Sequence, residues 1–271
     1  MLLDKERVMY RAAKLYFSGI ILIICLISSV SSQAGPQAEN DAAAITKDLN
    51  RQAIHFVEEK KYQEAIDVLD KALKIDPNYA TGYLNLGTAY LLSGKPETAF
   101  VLVNKALEIN PNSAVGHNQL GVLYERLGKT DKAIDSFNRA VEIRPQYAFG
   151  YFNLGATYLW SDKIKPARQA LEKSLRLDPT NDEARMLLGV AFAKQSKYSE
   201  AVNEVRSVTQ KNPQNDLASL LLCQIYVLSN DRSAALDIYQ KYKAVNLPLA
   251  DAMFRSIFDD KVILAPKDFR P

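Results

Sequence analysis

The chain has 271 residues, with 34 Lys and Arg against 31 Asp and Glu, and a formal net charge of +3. A charge so nearly balanced, with no basic stripe, argues against the phosphate neutralisation on which nucleic-acid binding rests. Two cysteines and two histidines leave little material for a metal centre, and no phosphate loop, nucleophile elbow or His-Glu-x-x-His pattern occurs.

In chain order, the first element is a leader over residues 1–34. Lys5, Arg7, Arg11 and Lys14 outnumber Asp4 and Glu6, and an apolar run follows from Leu15 to Val30. Ser32-Gln33-Ala34 offers small residues at the spacing of a secretory cleavage site. The run has 16 residues, short of the roughly 20 needed to span a bilayer as a helix. A cleaved signal peptide and a retained signal anchor both fit. Either implies export, to the periplasm or cell envelope, with inner-membrane attachment through 15–30 if the leader is kept. Residues 35–45 are polar and alanine-rich and read as a linker.

From there the chain is periodic. Pro77, Pro111, Pro145, Pro179 and Pro213 stand 34 residues apart. With the proline numbered 32, the repeats are 46–79, 80–113, 114–147, 148–181, 182–215 and a degenerate 216–249. Position 8 is small (Gly87, Gly121, Gly155, Gly189) or nearly so (Ala53, Cys223), and position 20 is always alanine (Ala65, Ala99, Ala133, Ala167, Ala201, Ala235). Two helices packed in a hairpin need such small side chains where they meet, since a larger one would overpack the contact by roughly 1–3 kcal/mol. Position 11 is aromatic throughout, and position 24 is large: Leu69, Val103, Phe137, Leu171, Val205, Tyr239. These fill the space beside the contact. Position 15 holds Lys60, Gly94, Gly128, Asp162, Ser196 and Asn230, mostly residues that tolerate a left-handed turn. The two helices of each repeat part there, and the proline ends the second.

This pattern resembles the tetratricopeptide repeat (TPR) family, over about 204 of the 271 residues. The resemblance implies an all-α, right-handed α-solenoid of about six helix-turn-helix repeats. Apolar residues at Leu249, Ala252, Met253, Ile257 and Phe258 predict an amphipathic helix beyond them. Residues 250–271 are then a capping helix, which a solenoid's last face requires, and a tail. Cys223 at the tight position reads as a buried, inert thiol.

In this family the first helix of each repeat lines a concave groove. The resemblance therefore implies a peptide-binding groove built from Asn85, Gln119, Glu125, Arg126, Phe149, Phe152, Asn153, Trp160 and Met186. Asn85, Gln119 and Asn153 share position 6 in three consecutive repeats. An amide donates and accepts at once, so a row of them could hold a peptide backbone, as the asparagine ladder of related TPR proteins does. The bland alternative is that Asn-Leu-Gly is simply common in the repeat. Phe149, Phe152, Trp160 and Met186 are expected to form an apolar centre, unless the tail or self-association covers them. The two-carboxylate clamp of TPR co-chaperones has no counterpart, because its slots read Asn50, Ile54, Asn85, Val115 and Gln119 and supply no cation.

The function expected is non-catalytic, with no cofactor and no metal. It is a scaffold binding an extended peptide or helix of a protein partner in cell-envelope assembly or secretion. A self-associating structural module and a regulatory subunit of an envelope enzyme are the alternatives.

Overall fold

The computed structural model describes residues 36–259 together with Val262 and Leu264; the leader and most of the tail lie outside the described residues. Among the described residues there are thirteen α-helices and no strand. Residues up to Asn78 form one compact unit and those from Tyr79 another.

The first unit is the hairpin of α1 (Pro36–Glu58) and α2 (Tyr62–Ile75). Helix α1 begins at Pro36, so the segment read as a linker is helical. Proline suits a first helical position, and Ala42, Ala43 and Ala44 that follow are the strongest of helix formers. The hairpin closes on Ala53, Ala65, Leu69 and Ala72, all fully buried.

The second unit contains five hairpins and a thirteenth helix. They are α3 (Ala80–Leu92) with α4 (Pro96–Ile109), α5 (Ala114–Arg126) with α6 (Thr130–Ile143), and α7 (Ala148–Trp160) with α8 (Ile164–Leu177). Then come α9 (Asp182–Lys194) with α10 (Tyr198–Lys211), α11 (Asp216–Leu228) with α12 (Arg232–Lys243), and α13 (Leu247–Phe258). From α4 onward each even helix also packs against the odd helix that follows it, and α13 packs against both α11 and α12. Odd helices touch the next odd helix, from α3 to α5 through to α11 to α13, whereas no such contact joins the even helices among the described residues. The odd helices therefore form the inner wall of this unit.

Both ends of each hairpin follow from single residue types. Gly94 and Gly128 have φ of 81° and 69°, and Lys60, Asp162, Ser196 and Asn230 adopt the same left-handed conformation with φ of 57–62°. The amide after each donates back to the carbonyl of the aromatic at position 11, as Lys95 does to Tyr90 at 2.8 Å and Lys197 to Phe192 at 2.9 Å. This is the Schellman closure, which satisfies carbonyls that a helix end leaves unpaired. The second helices stop because the residue before proline is pushed out of the helical region. Asp76, Asn110, Arg144, Asp178 and Asn212 all have φ between −126° and −135°. Four of these carry a side-chain oxygen that accepts from the amide two residues on, at 2.9–3.3 Å.

Inside each hairpin the glycine at position 8 faces the large residue at position 24. A Cβ added at Gly121 would lie 2.5 Å from the Phe137 ring, and one at Gly189 2.5 Å from Val205. Phe137, Leu171 and Val205 are fully buried, each burial worth roughly 1.5–3 kcal/mol. In the fifth hairpin Cys223 takes the glycine's place and lies 3.8 Å from the Ala235 carbonyl.

Candidate functional site

The inner wall is lined first by amides. Gln119 on α5 donates through Nε2 to the Thr88 hydroxyl on α3 at 2.8 Å. Asn153 on α7 donates through Nδ2 to Asn118 Oδ1 on α5 at 3.0 Å. Each amide thus spends its nitrogen on the preceding odd helix, while Gln119 Oε1 and Asn153 Oδ1 are buried and accept from nothing. Asn153 is 0% exposed.

Near the C-terminal ends of α5 and α7 the wall opens into a cleft of about 390 Å³. Glu125 and Arg126 come from the last turn of α5, Gly128 and Thr130 from the turn into α6, and Thr157, Trp160 and Ser161 from the end of α7. The Thr157 hydroxyl stands 2.6 Å from Glu125 Oε1 and 2.7 Å from the Asn153 carbonyl. It has one proton, and the carboxylate is the stronger acceptor. The bond holds Glu125 towards α7 and ties the cleft to the amide pair below it. Trp160 also borders the cleft, with its indole N–H buried and without an acceptor. A carboxylate and hydroxyls thus line one recess, a setting for a polar or cationic group of a ligand.

A second cleft, of about 350 Å³, lies nearer the N-terminal ends of the odd helices. It contains Asn85 and Thr81 of α3, Asn112 in the turn before α5, Val115 at the start of α5, and Arg144 after α6.

The hairpin geometry is that of a known repeat. Models of the tetratricopeptide repeat match residues 55–94, 80–113, 114–147, 162–216 and 192–247. The chain belongs to the tetratricopeptide repeat family. Against curated proteins the sequence finds no match. Among solved TPR-like structures, PilF of Pseudomonas aeruginosa is 21% identical, with a TM-score of 0.72 over 82% of this chain and 100% of that one. PilW, described as a widely conserved type IV pilus biogenesis factor, is 20% identical with a TM-score of 0.70, covering 79% and 98%. YrrB, described as a TPR protein with an unusual peptide-binding site, is 23% identical with a TM-score of 0.58, covering 67% and 95%. Identities this low establish the shared fold.

The nine residues read from the TPR pattern do not converge on one spot. Glu125, Arg126 and Trp160 meet in the first cleft, and Asn85 lines the second. Gln119 lies between them, half-buried. Phe149 is 50% exposed and its ring stacks on Phe152, with centroids 6.0 Å apart. Phe152 and Met186, each 3% exposed, belong with Asn153 to the interior. Phe152, Met186 and Trp160 do share one apolar cluster, with Phe149 stacked on Phe152, but the cluster is interior and leaves mainly Phe149 on the surface. Phe149 and Trp160 occupy opposite ends of α7, separated by eleven residues or roughly 16 Å of helix at 1.5 Å per residue. The exposed amide row is likewise interrupted at Asn153, because an interior acceptor on Asn118 draws that side chain inward. The sequence reading missed Thr157, at position 10 of its repeat. A hydroxyl where the neighbouring repeats carry Ala89, Leu123, Ala191 and Ile225 was the available signal.

Proposed function

We propose that this TPR protein is a non-catalytic scaffold that holds an extended segment of a partner protein along the inner wall of its odd helices. The α5–α7 cleft is its most discriminating point. The observation that carries this reading is the Glu125 carboxylate, held towards α7 by the Thr157 hydroxyl in a cleft that Arg126 and Trp160 also line. Peptide binding by YrrB and pilus biogenesis by PilW, both TPR relatives in fold, support a protein partner and an envelope setting. The charged start and apolar run of 1–34 favour the same setting.

The test is capture from envelope extracts by the chain and by its Glu125→Lys and Trp160→Ala variants, each checked for unchanged helical circular dichroism. A partner held by the parent and lost by both variants supports the α5–α7 cleft. Retention by both would move the site off this cleft.

A second reading, self-association, is favoured by the C-terminal end. There Phe254 and Phe258 of α13 are 43% and 54% exposed, with ring centroids 4.5 Å apart, and Leu247 is 64% exposed. Sedimentation of the chain beside a Phe254→Ser/Phe258→Ser variant separates the two. A dimer that the variant abolishes would favour self-association.

A further inference from the structure

Towards a ligand, the oxygens of the α5–α7 cleft are acceptors. Ser161 Oγ donates to the Thr157 carbonyl at 2.7 Å. The single proton of the Thr157 hydroxyl is also used inside the wall, since its two neighbours are Glu125 Oε1 and the Asn153 carbonyl, at 2.6 and 2.7 Å. A hydroxyl whose proton is committed keeps only lone pairs for a newcomer, and an ionised carboxylate accepts without donating. Glu125, Thr157 and Ser161, which line one recess, therefore require donors.

Charge points the same way. Helices α3 and α7 carry no Asp, Glu, Lys or Arg, and α5 carries only Glu125 and Arg126. Glu125 is half-buried, whereas Arg126 is exposed. Water screens an exposed charge more than one held against the protein, so the carboxylate sets the potential of the recess. The positive end of α6, where Thr130 borders the cleft, has its own carboxylate in Asp131 of the first turn. In the adjoining turns Lys163 pairs with Asp131 at 3.6 Å and Lys194 with Asp162 at 2.8 Å. A ligand group that only donates and carries positive charge meets both demands. A neutral amide meets one, and a carboxylate meets neither.

We infer that the α5–α7 cleft receives a cationic side chain of the partner segment, an arginine or a lysine, whose donors are shared between the Glu125 carboxylate and the Thr157 and Ser161 oxygens. This rests on the cleft being the binding surface, and it names the chemistry that a partner must bring there.

The test titrates the full chain with four N-acetylated, C-amidated pentapeptides, Ala-Ser-X-Ser-Ala, in which X is Arg, Lys, Gln or Glu. Trp160 is the single tryptophan and lines the cleft, so its fluorescence reports entry, and calorimetry measures binding independently. The Arg and Lys peptides are expected to bind roughly ten-fold more tightly than the Gln peptide, the scale of a hydrogen bond to a charged group. The Glu peptide should bind most weakly. Glu125→Gln should bring the Arg, Lys and Gln peptides level, and Glu125→Lys should put the Glu peptide first; circular dichroism checks both folds. Equal binding of all four by the parent, an order that survives Glu125→Gln, or binding of none would overturn the inference. The capture experiment keeps the two readings apart. A partner lost on Glu125→Lys while the four peptides bind alike would leave the cleft standing and remove the cationic contact. The expected peptide order without any captured partner would keep the contact and remove the scaffold.

Discussion

Asn153 on α7 donates a fully buried hydrogen bond of 3.0 Å to Asn118 on α5, and so works as a bolt between two repeats. Its other amide atom, Oδ1, has no donor. Truncation at Asn153 would leave Asn118 Oδ1 unsatisfied in the interior, at a cost of about 1–3 kcal/mol. Asn153→Ala is expected to lower stability by that amount in urea unfolding. Asn85→Ala, in the open second cleft, should cost less. Equal losses at the two positions would mean that the buried bond contributes nothing particular.

The glycines of position 8 are graded by the space around them. A Cβ at Gly121 would meet three atoms of the Phe137 ring within 2.8 Å, whereas one at Gly87 would have Val103 at 3.1 Å as its nearest neighbour. Phe137 is fully buried and cannot swing away. Gly121→Ala is therefore expected to destabilise by about 1–3 kcal/mol, as overpacked cores do, and Gly87→Ala by clearly less. Chemical denaturation of the two variants gives the order, and the reverse order would contradict the hairpin packing described.

The hairpins were legible because their determinants are local and recur. A glycine or alanine against an alanine, a left-handed turn residue and a proline each act within one repeat, so the 34-residue phase exposes them. The site was legible only in part. Position 6 predicted Asn85, Gln119 and Asn153 as equivalents, yet Gln119 bonds to Thr88 and Asn153 to Asn118. Which acceptor the preceding helix presents is a property of two repeats together, and periodicity does not report it. Thr157 was passed over for the same reason, since its role depends on Glu125 of the neighbouring repeat.

Ser196 holds a left-handed turn that two other repeats assign to glycine, with φ of 58° against 81° and 69° at Gly94 and Gly128. A non-glycine residue carries a conformational penalty of about 1–2 kcal/mol there, partly offset because glycine loses more freedom on folding. Ser196→Gly is expected to raise stability by about 0.5–1 kcal/mol. Asp162 is a poorer test, since its carboxylate pairs with Lys194 at 2.8 Å. A thermal melt of Ser196→Gly no higher than that of the parent would mean the turn is held at no cost.

Cys223 closes the fifth hairpin with no surface exposed, and burial pushes its thiol up to about 12 from an ordinary value of 9.0. The charged form is the one that burial disfavours. At pH 8 the folded protein would hold roughly one thiolate in ten thousand, and the thiolate is the reactive form. In a Cys25→Ser background, alkylation of Cys223 by iodoacetamide is expected to proceed only as fast as the fifth hairpin opens, and to become rapid in urea. The sign of the pH effect follows from the same shift. Below about pH 8 both folded and unfolded states keep the proton, and the group leaves stability unchanged. Between the ordinary value and about 12 only the unfolded thiol ionises, so stability falls by up to about 1.4 kcal/mol per pH unit. Other groups titrate in this range, and a Cys223→Ala chain serves as the reference. Its stability should decline less steeply than that of the parent between pH 9 and pH 10.5, and parallel slopes would place the thiol in contact with solvent.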